Sequence, residues 1–323
     1  MTLRRFTAAD DLLHDIAGRQ NGRESLFYVL PVPHEGLLAL AYVFKDESTG
    51  RFGRIVALAD GVSPDPLFLD MAGDLELEGD DLDDFVVGGL HVRQPEPLHA
   101  AELAFVSPDG FAITCRLEGT HAPFSWHDGP EGCPPWAADD RYEQSVRTRG
   151  TFTLPGRTVE FVSAGHRDHS WGTRDWRPLQ HWKWINATAV DEDISLHGWI
   201  SYALGDRQIN GYVSRGGFVS PIVAAEARAT LDEAFMHTSV AGRFTTADGQ
   251  ELRLEATSVA GLPIPARHMQ MNEIACSATL DGHAAIAHIE LGWPQSYIAD
   301  YTAPGAEPRV ENTTTPTNDR SIA

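Results

Sequence analysis

The strongest constraint on the fold of this chain is the repeated return of a short turn. Ser107-Pro108-Asp109-Gly110, Pro155-Gly156, Gly205-Asp206, Asp248-Gly249 and Asp281-Gly282 each separate two short apolar runs. Gly, Pro and Asp in that setting close hairpins, because they supply the positive or fixed φ that a tight turn needs. Leu103 to Val106 and Phe111 to Leu117 flank the first turn, and Gly150 to Leu154 and Arg157 to Val162 flank the second. Leu37 to Phe44 and Phe52 to Leu58 flank the polar Asp46-Glu47-Ser48-Thr49-Gly50. Leu26 to Leu30 precedes them, and Trp182 to Val190, Ile194 to Leu204 and Gln208 to Val213 follow in the second half. Helical spacing is confined to Ala8–Gly18, with Leu12, Leu13 and Ile16 on one face, and weakly to Ala224–His237. The expectation is an all-β chain of antiparallel barrels or sandwiches with few short helices.

At 323 residues the chain is long enough for two domains. The Pro/Gly-rich segment 122–140, with Phe124, Trp126 and Trp136, reads as a linker or as a cover over a barrel mouth. The expected division is therefore 1–145 and 146–323, with a flexible tail after about residue 304. A net charge of −21 argues against nucleic acid and against anionic membrane surfaces. No apolar run has the length of a membrane span, and Met1 to Phe6 leads into Ala-Asp-Asp without a secretory h-region. The three cysteines, Cys115, Cys133 and Cys276, are odd in number and far apart, so a cytoplasmic, reduced protein is expected. No Rossmann, P-loop, nucleophile-elbow or HExxH pattern occurs, and the acidic run 74–84 lacks EF-hand spacing. The expected chemistry therefore uses neither metal nor cofactor. A homodimer is one assembly compatible with such a chain.

The densest chemistry lies at residues 165–176, Gly-His-Arg-Asp-His-Ser-Trp-Gly-Thr-Arg-Asp-Trp. Two Trp would be wasted on a surface loop, and two Arg with two Asp would be costly in a core unless paired. The mixture predicts a half-buried polar network beside an aromatic wall. If the segment is extended, Arg167, His169 and Trp171 share one face, and Asp168 and Ser170 the other. An imidazole can give or take a proton near neutrality, a carboxyl in an apolar pocket can stay protonated, and an indole face stabilises a cation. Asp168, His169, Trp171 and Asp175 are the catalytic candidates. Asp168 is preferred to Asp175, which sits between Arg174 and Trp176 like a salt-bridged anchor. The competing reading is a structural network, with His169 on a carbonyl and Trp171 in the core.

The same stretch carries a resemblance. Asp168-His169-Ser170-Trp171-Gly172 followed by Arg174-Asp175-Trp176 resembles the signature of the hydroxyneurosporene synthase-like group, which includes carotenoid 1,2-hydratases, AttH-like proteins, fungal hydratases and lipocalin-like Diels–Alderases. Tyr142-Glu143-Gln144-Ser145, Asn21 to Ser25 and the run from Asp281-Gly282 to Glu290 are similar to other parts of that group. The resemblance implies two tandem lipocalin-like β-barrels with a pocket for an apolar small molecule. It implies no single reaction, since its members differ in chemistry.

Arg167, Arg174, Trp176, Trp184, His197, Trp199, Tyr202 and Glu290 are the substrate-binding candidates. Several of them alternate on adjacent strands and so face a barrel lumen, and Glu290 becomes a buried acid if its strand faces inward. The leading expectation is a cofactor-independent hydratase, lyase or isomerase working by proton transfer on a terpenoid- or polyketide-like molecule. The alternative is a carrier that only shelters a lipophilic ligand. They differ in whether an acid reaches the ligand.

Overall fold

The computed structural model describes residues 3–302 and the short strand Val310–Asn312, so most of the tail expected after residue 304 lies outside it. Twelve strands form a first antiparallel sheet. They are β1 (Arg23–Val32), β2 (Leu37–Asp46), β3 (Phe52–Asp60), β4 (Phe68–Leu75), β5 (Leu77–Glu78), β6 (Asp84–Val87), β7 (Leu90–Glu96), β8 (Ala100–Val106), β9 (Ala112–Gly119), β10 (Phe124–Ser125), β11 (Asp140–Leu154) and β12 (Arg157–Gly172). The order is β4-β3-β2-β1-β12-β11-β9-β8-β7-β6-β5, with β10 beside β11. Its edges β4 and β5 are consecutive in the chain, so the sheet curls almost into a barrel. The strand holding most of the signature, β12, is therefore central, paired with β1 and β11.

The second sheet comprises β13 (Leu179–Ala189), β14 (Ile194–Ala203), β15 (Asp206–Arg215), β16 (Phe218–Leu231), β17 (His237–Thr246), β18 (Glu251–Ala266), β19 (Met269–Leu280), β20 (His283–Pro294) and β21 (Val310–Asn312). Its order is β15-β14-β13-β20-β19-β18-β17-β16, and β15 also pairs with β16, which closes eight strands on themselves. One α-helix, α1 (Gln295–Tyr301), follows β20. The expected all-β architecture of tandem barrels is what the chain adopts.

Alternation along the strands builds three cores. Leu26, Tyr28, Val146, Val159 and Phe161 fill the first barrel, and Ile185, Leu196, Ile200, Ile274 and Ile289 fill the second. The residues between them in sequence, Val29, Leu40, Trp182, Trp184, Trp199 and Ala275, point out of their own barrels and pack together. Fully burying one large apolar side chain contributes about 1.5–3 kcal/mol, so this third cluster holds the two sheets face to face.

Three expectations meet a different outcome. The helix over Ala8–Gly18 shrinks to a 3-10 turn, Ala8–Asp11. Asp11 is drawn into the first barrel, where the Tyr142 hydroxyl and the Leu98 N–H donate to it, and the chain cannot stay coiled around that anchor. The segment 224–237 is strand as far as Leu231: Ala225, Ala227, Ala229 and Leu231 point inward with a period of two. Its alanines favour helix by intrinsic propensity, and tertiary pairing overrides that preference. The sheets change at residues 173–178, whereas the expected division after residue 145 falls inside β11 and would cut its ladder with β12. The 122–140 segment that suggested a linker is packed in place, with Trp126 fully buried.

Candidate functional site

The β12 strand has two chemically loaded faces. Arg167 and His169 point into the first barrel, opposite the core residues Tyr28 and Leu26 on β1. His166 and Asp168 point outward toward the second sheet, opposite Val29 and Phe27 of the interface cluster. Gly172 ends the strand with φ +100, and a Cβ there would run into the Asp139 side chain.

On the barrel face protein groups crowd the polar side chains, although Arg167 Nη2, His169 Nδ1 and the Tyr28 hydroxyl have no hydrogen-bond partner among the described residues. Arg167 Nε donates to Gln144 Oε1 at 2.7 Å and Nη1 to Gln94 Oε1 at 3.2 Å, with Asp11 Oδ2 3.8 Å from Nη2. His169 Nε2 lies 2.8 Å from Glu24 Oε1, which His14 Nδ1 also meets at 2.8 Å. Burial alone would raise the Glu24 carboxyl, but the hydrogen bonds from His14 and His169 hold it below its ordinary value. Trp171 stacks on His14 with centroids 3.7 Å apart.

On the other face lies a cavity of about 260 Å³ between the sheets. Nine aromatic side chains line it, among them Phe27 and Tyr42 from the first sheet, Trp182, Trp184 and Trp199 from the second, and Trp126 from the 122–140 segment. Its charged lining includes Arg141, Asp168, Arg174, Glu273 and Glu290. Arg141 lies 4.6 Å over the Trp126 ring. Its Nη2 donates to Asp168 Oδ2 at 2.9 Å and its Nε to Glu143 Oε1 at 2.6 Å. Burial pushes the Asp168 carboxyl up to about 6 despite the Arg141 charge. Glu143, behind Arg141, also accepts from Trp126 Nε1 at 3.1 Å and Trp184 Nε1 at 3.3 Å, and its Oε2 lies 2.8 Å from His166 Nε2. Burial lifts it to about 7 against those donors.

Across the cavity, Glu273 and Glu290 are cross-strand neighbours whose carboxyls hydrogen-bond to one another. Burial raises Glu273 to about 7, and burial together with the Glu273 charge raises Glu290 well above the usual carboxylate range. Two carboxyls so placed disfavour each other's ionisation, which favours keeping a proton on the pair. Trp182 Nε1 donates to Glu290, and His288 Nε2 lies 2.8 Å from Glu273 Oε2. Gly292 makes the first contact achievable, because a Cβ there would collide with the Trp182 indole.

Among the described residues two groups carry three metal-ligand side chains with donor atoms within 4.8 Å of one another: His14, Glu24 and His169, and Glu143, His166 and His197. In both, the carboxylate already accepts hydrogen bonds, and at Glu143 a cation would be repelled by the Arg141 guanidinium. Both are accounted for as hydrogen-bonded networks centred on a carboxylate.

Of the residues expected at a site, Asp168, Arg174, Trp176, Trp184, Trp199 and Glu290 line the cavity. His169, Trp171 and Arg167 belong to the barrel-side network instead. Asp175 pairs with Arg177, whose Nη2 is 2.6 Å from Oδ2, at the surface. His197 is buried beside the cavity, with Nδ1 2.8 Å from Asn186 Oδ1 and its ring stacked on His166. Tyr202 lies on the opposite face of β14, half-buried near His181. The lumen expected for these aromatics is the space between the barrels, because the even positions of β13 and β20 and the odd positions of β14 face outward. Arg141, Glu143, His166 and Glu273 were missed. The run from Tyr142 to Ser145 stood out only as part of the resemblance, and alternation along it puts Glu143 on the cavity side.

The architecture is similar to that of several solved structures. An AttH-like protein from Nitrosomonas europaea superposes with a TM-score of 0.59 at 14% identity, covering 84% of this chain and 92% of its own. CghA in complex with Sch210972 gives 0.55 at 13%, covering 84% and 88%. Kievitone hydratase from Nectria haematococca gives 0.58 at 9%, covering 89% and 94%. These likenesses bear out the AttH-like, lipocalin-like fold that the signature led us to expect. No curated protein sequence matches the chain. A family match spans residues 7–295, nearly the whole described chain, and by it the protein belongs to the family described as Domain of unknown function (DUF7064).

Proposed function

We propose that the protein is an enzyme that moves protons to and from an apolar small molecule held between its two barrels, in a hydration, elimination or isomerisation, using its own carboxyls and no cofactor. The observation that carries this reading is that Asp168 and the Glu273–Glu290 pair reach one aromatic cavity from facing sheets. A proton held by the glutamate pair adds to an alkene carbon, forming a C–H bond and leaving a cation on the neighbouring carbon. The indole faces of Trp126, Trp182 and Trp184 stabilise that cation. Asp168, held by Arg141, then takes a proton from an attacking water or from an adjacent C–H, and exchange with solvent restores both carboxyl groups. The reverse sequence is an elimination. The solved relatives support the reading in kind: one is called a hydratase and another holds a small molecule. A terpenoid- or polyketide-like substrate suits the apolar walls.

The test is incubation with a panel of isoprenoid and polyketide alkenes in deuterium oxide, followed by mass spectrometry of the recovered compounds. Deuterium uptake, or a mass gain of one water, is expected with wild type and should fall by about 10²–10⁴-fold in Asp168→Asn. A carrier would bind the compounds and return them unlabelled, and that result would replace this reading.

A further inference from the structure

Among the described residues the buried arginines come with counter-charges, except one. Arg54 has Asp70 at 2.7 Å, Arg141 has both Glu143 and Asp168, Arg167 has Asp11 at 3.8 Å, and even the half-buried Arg23 has Asp46 at 2.9 Å. Arg174 is 7% exposed and lines the cavity, and its Nη2 donates to the Ser170 hydroxyl at 2.5 Å. Among the described residues no carboxylate lies within ion-pair distance of it, and its Nε has no hydrogen-bond partner. The Trp199 indole N–H, on another wall of the same cavity, is also without an acceptor. Ser170 is held in turn by Ser25 at 3.1 Å, so the guanidinium is fixed rather than free to turn to solvent. A buried cation is costly unless an anion or strong acceptors meet it, and here the open space beside it is the cavity.

We propose that the cavity receives an organic anion, whose carboxylate or enolate oxygens sit on Arg174 and whose apolar body lies along the tryptophan walls. This narrows the substrate class of the cavity taken above as the reaction site, and it rests on that reading only for the choice of cavity. Guanidinium presents parallel N–H donors that match two oxygens of a carboxylate. An alcohol in the same place would leave the charge unmet. Anchoring at Arg174 would also fix the position of the apolar body relative to Asp168, two residues from Ser170.

Quenching of tryptophan fluorescence reads binding directly, because several tryptophans line the cavity. The probes are geranic acid and geraniol, with farnesoic acid and farnesol as a longer pair. Wild type should bind each acid at least about tenfold more tightly than its alcohol, as expected for a hydrogen-bonded charge pair. Arg174→Met should erase that preference, the acid losing far more affinity than the alcohol, and Arg174→Lys should retain part of it. If Arg174→Met fails to fold, wild type and Arg174→Lys still decide: the acid should raise the melting temperature of wild type more than the alcohol does. Equal affinities on wild type, a preference that survives Arg174→Met, or no binding by either pair would overturn the proposal. The deuterium experiment separates its fate from that of the enzymatic reading. Acid preference without exchange leaves an anion carrier, and exchange without acid preference removes only the role of Arg174.

Discussion

The two faces of β12 hold the same kinds of side chain and meet different surroundings. Arg167 and His169 look inward, and Asp168, one residue away from each, looks outward. On the inner side packed protein surrounds the polar groups: Gln144 and Gln94 accept from Arg167 with Asp11 close by, and Glu24 meets His169 and His14, while Arg167 Nη2 and His169 Nδ1 stay unbonded with no open volume beside them among the described residues. On the outer side the polar groups border empty volume. What distinguishes the cluster proposed to react from the packed one is neither composition nor burial, since both faces are buried. It is whether there is room beside the carboxyl for a molecule the protein does not supply.

That contrast can be broken by experiment. The largest effect is expected at the cavity. Asp168→Asn should reduce deuterium transfer by about 10²–10⁴-fold with little change in melting temperature, because the amide keeps the shape and one acceptor for Arg141. A matching collapse of the fold would place Asp168 with the structural face. Arg167→Leu should do the reverse. Removing a buried cation beside Asp11 costs about 3–5 kcal/mol of stability, read by denaturant titration, while the folded fraction keeps its exchange rate per molecule.

His169→Ala belongs to the same side at a smaller scale. It leaves the Glu24 carboxylate short of a donor, costs about 1–3 kcal/mol, and should spare turnover. A turnover defect larger than the stability defect would return His169 to the reaction.

The faces should also differ in the sign of their pH dependence. Asp168 ionises near 6 in the folded protein and about 3.9 when unfolded. Between those values the native state binds more protons, so this group makes stability fall as pH rises, by up to about 1.4 kcal/mol per unit of difference. Glu24 is shifted downward. Its contribution is complete above the ordinary glutamate value and is lost as pH falls through the folded one. Stability curves for Asp168→Asn and Glu24→Gln should therefore flatten on opposite limbs: the first across about pH 4 to 6, the second below about 4.3. Flattening on the same limb would show that the faces are not electrically distinct. The smallest expected effect is at Trp184→Phe. It removes the 3.3 Å bond to Glu143 and should cost about 0.5–1.5 kcal/mol, with the cavity wall kept.

Much of this was legible in the sequence. The hairpin turns predicted the strands because Gly, Pro and Asp constrain backbone locally, and alternation at 167–171 correctly separated Asp168 from His169. What alternation leaves undecided is which side of a strand is inside. For a lone barrel the apolar side faces the lumen, but here both sides are covered, one by its own barrel and one by the other. Trp184, Trp199 and Glu290 were therefore expected in a lumen and lie between lumens. Glu273 and Arg141 went unnoticed because each is an ordinary charge until a strand distant in sequence comes to lie beside it. The division after residue 145 failed to match the sheets for a related reason: a Pro-rich, aromatic segment reads as a linker when its burial is invisible.

The ladder between β11 and β12 runs in unbroken register from the pair Leu154–Arg157 at the Pro155-Gly156 turn to the pair Asp140–Trp171. Parity therefore travels intact from that exposed turn to the cavity. Inserting or deleting a single residue partway along β12 would exchange the two faces, sending Arg167 and His169 to the empty volume and Asp168 into a packed barrel. Changes at the turn itself can be absorbed as loop, whereas changes in strand length cannot. In a lineage built on this fold, the walls should therefore be free to diversify by substitution, while the residue count between turn and cavity stays frozen.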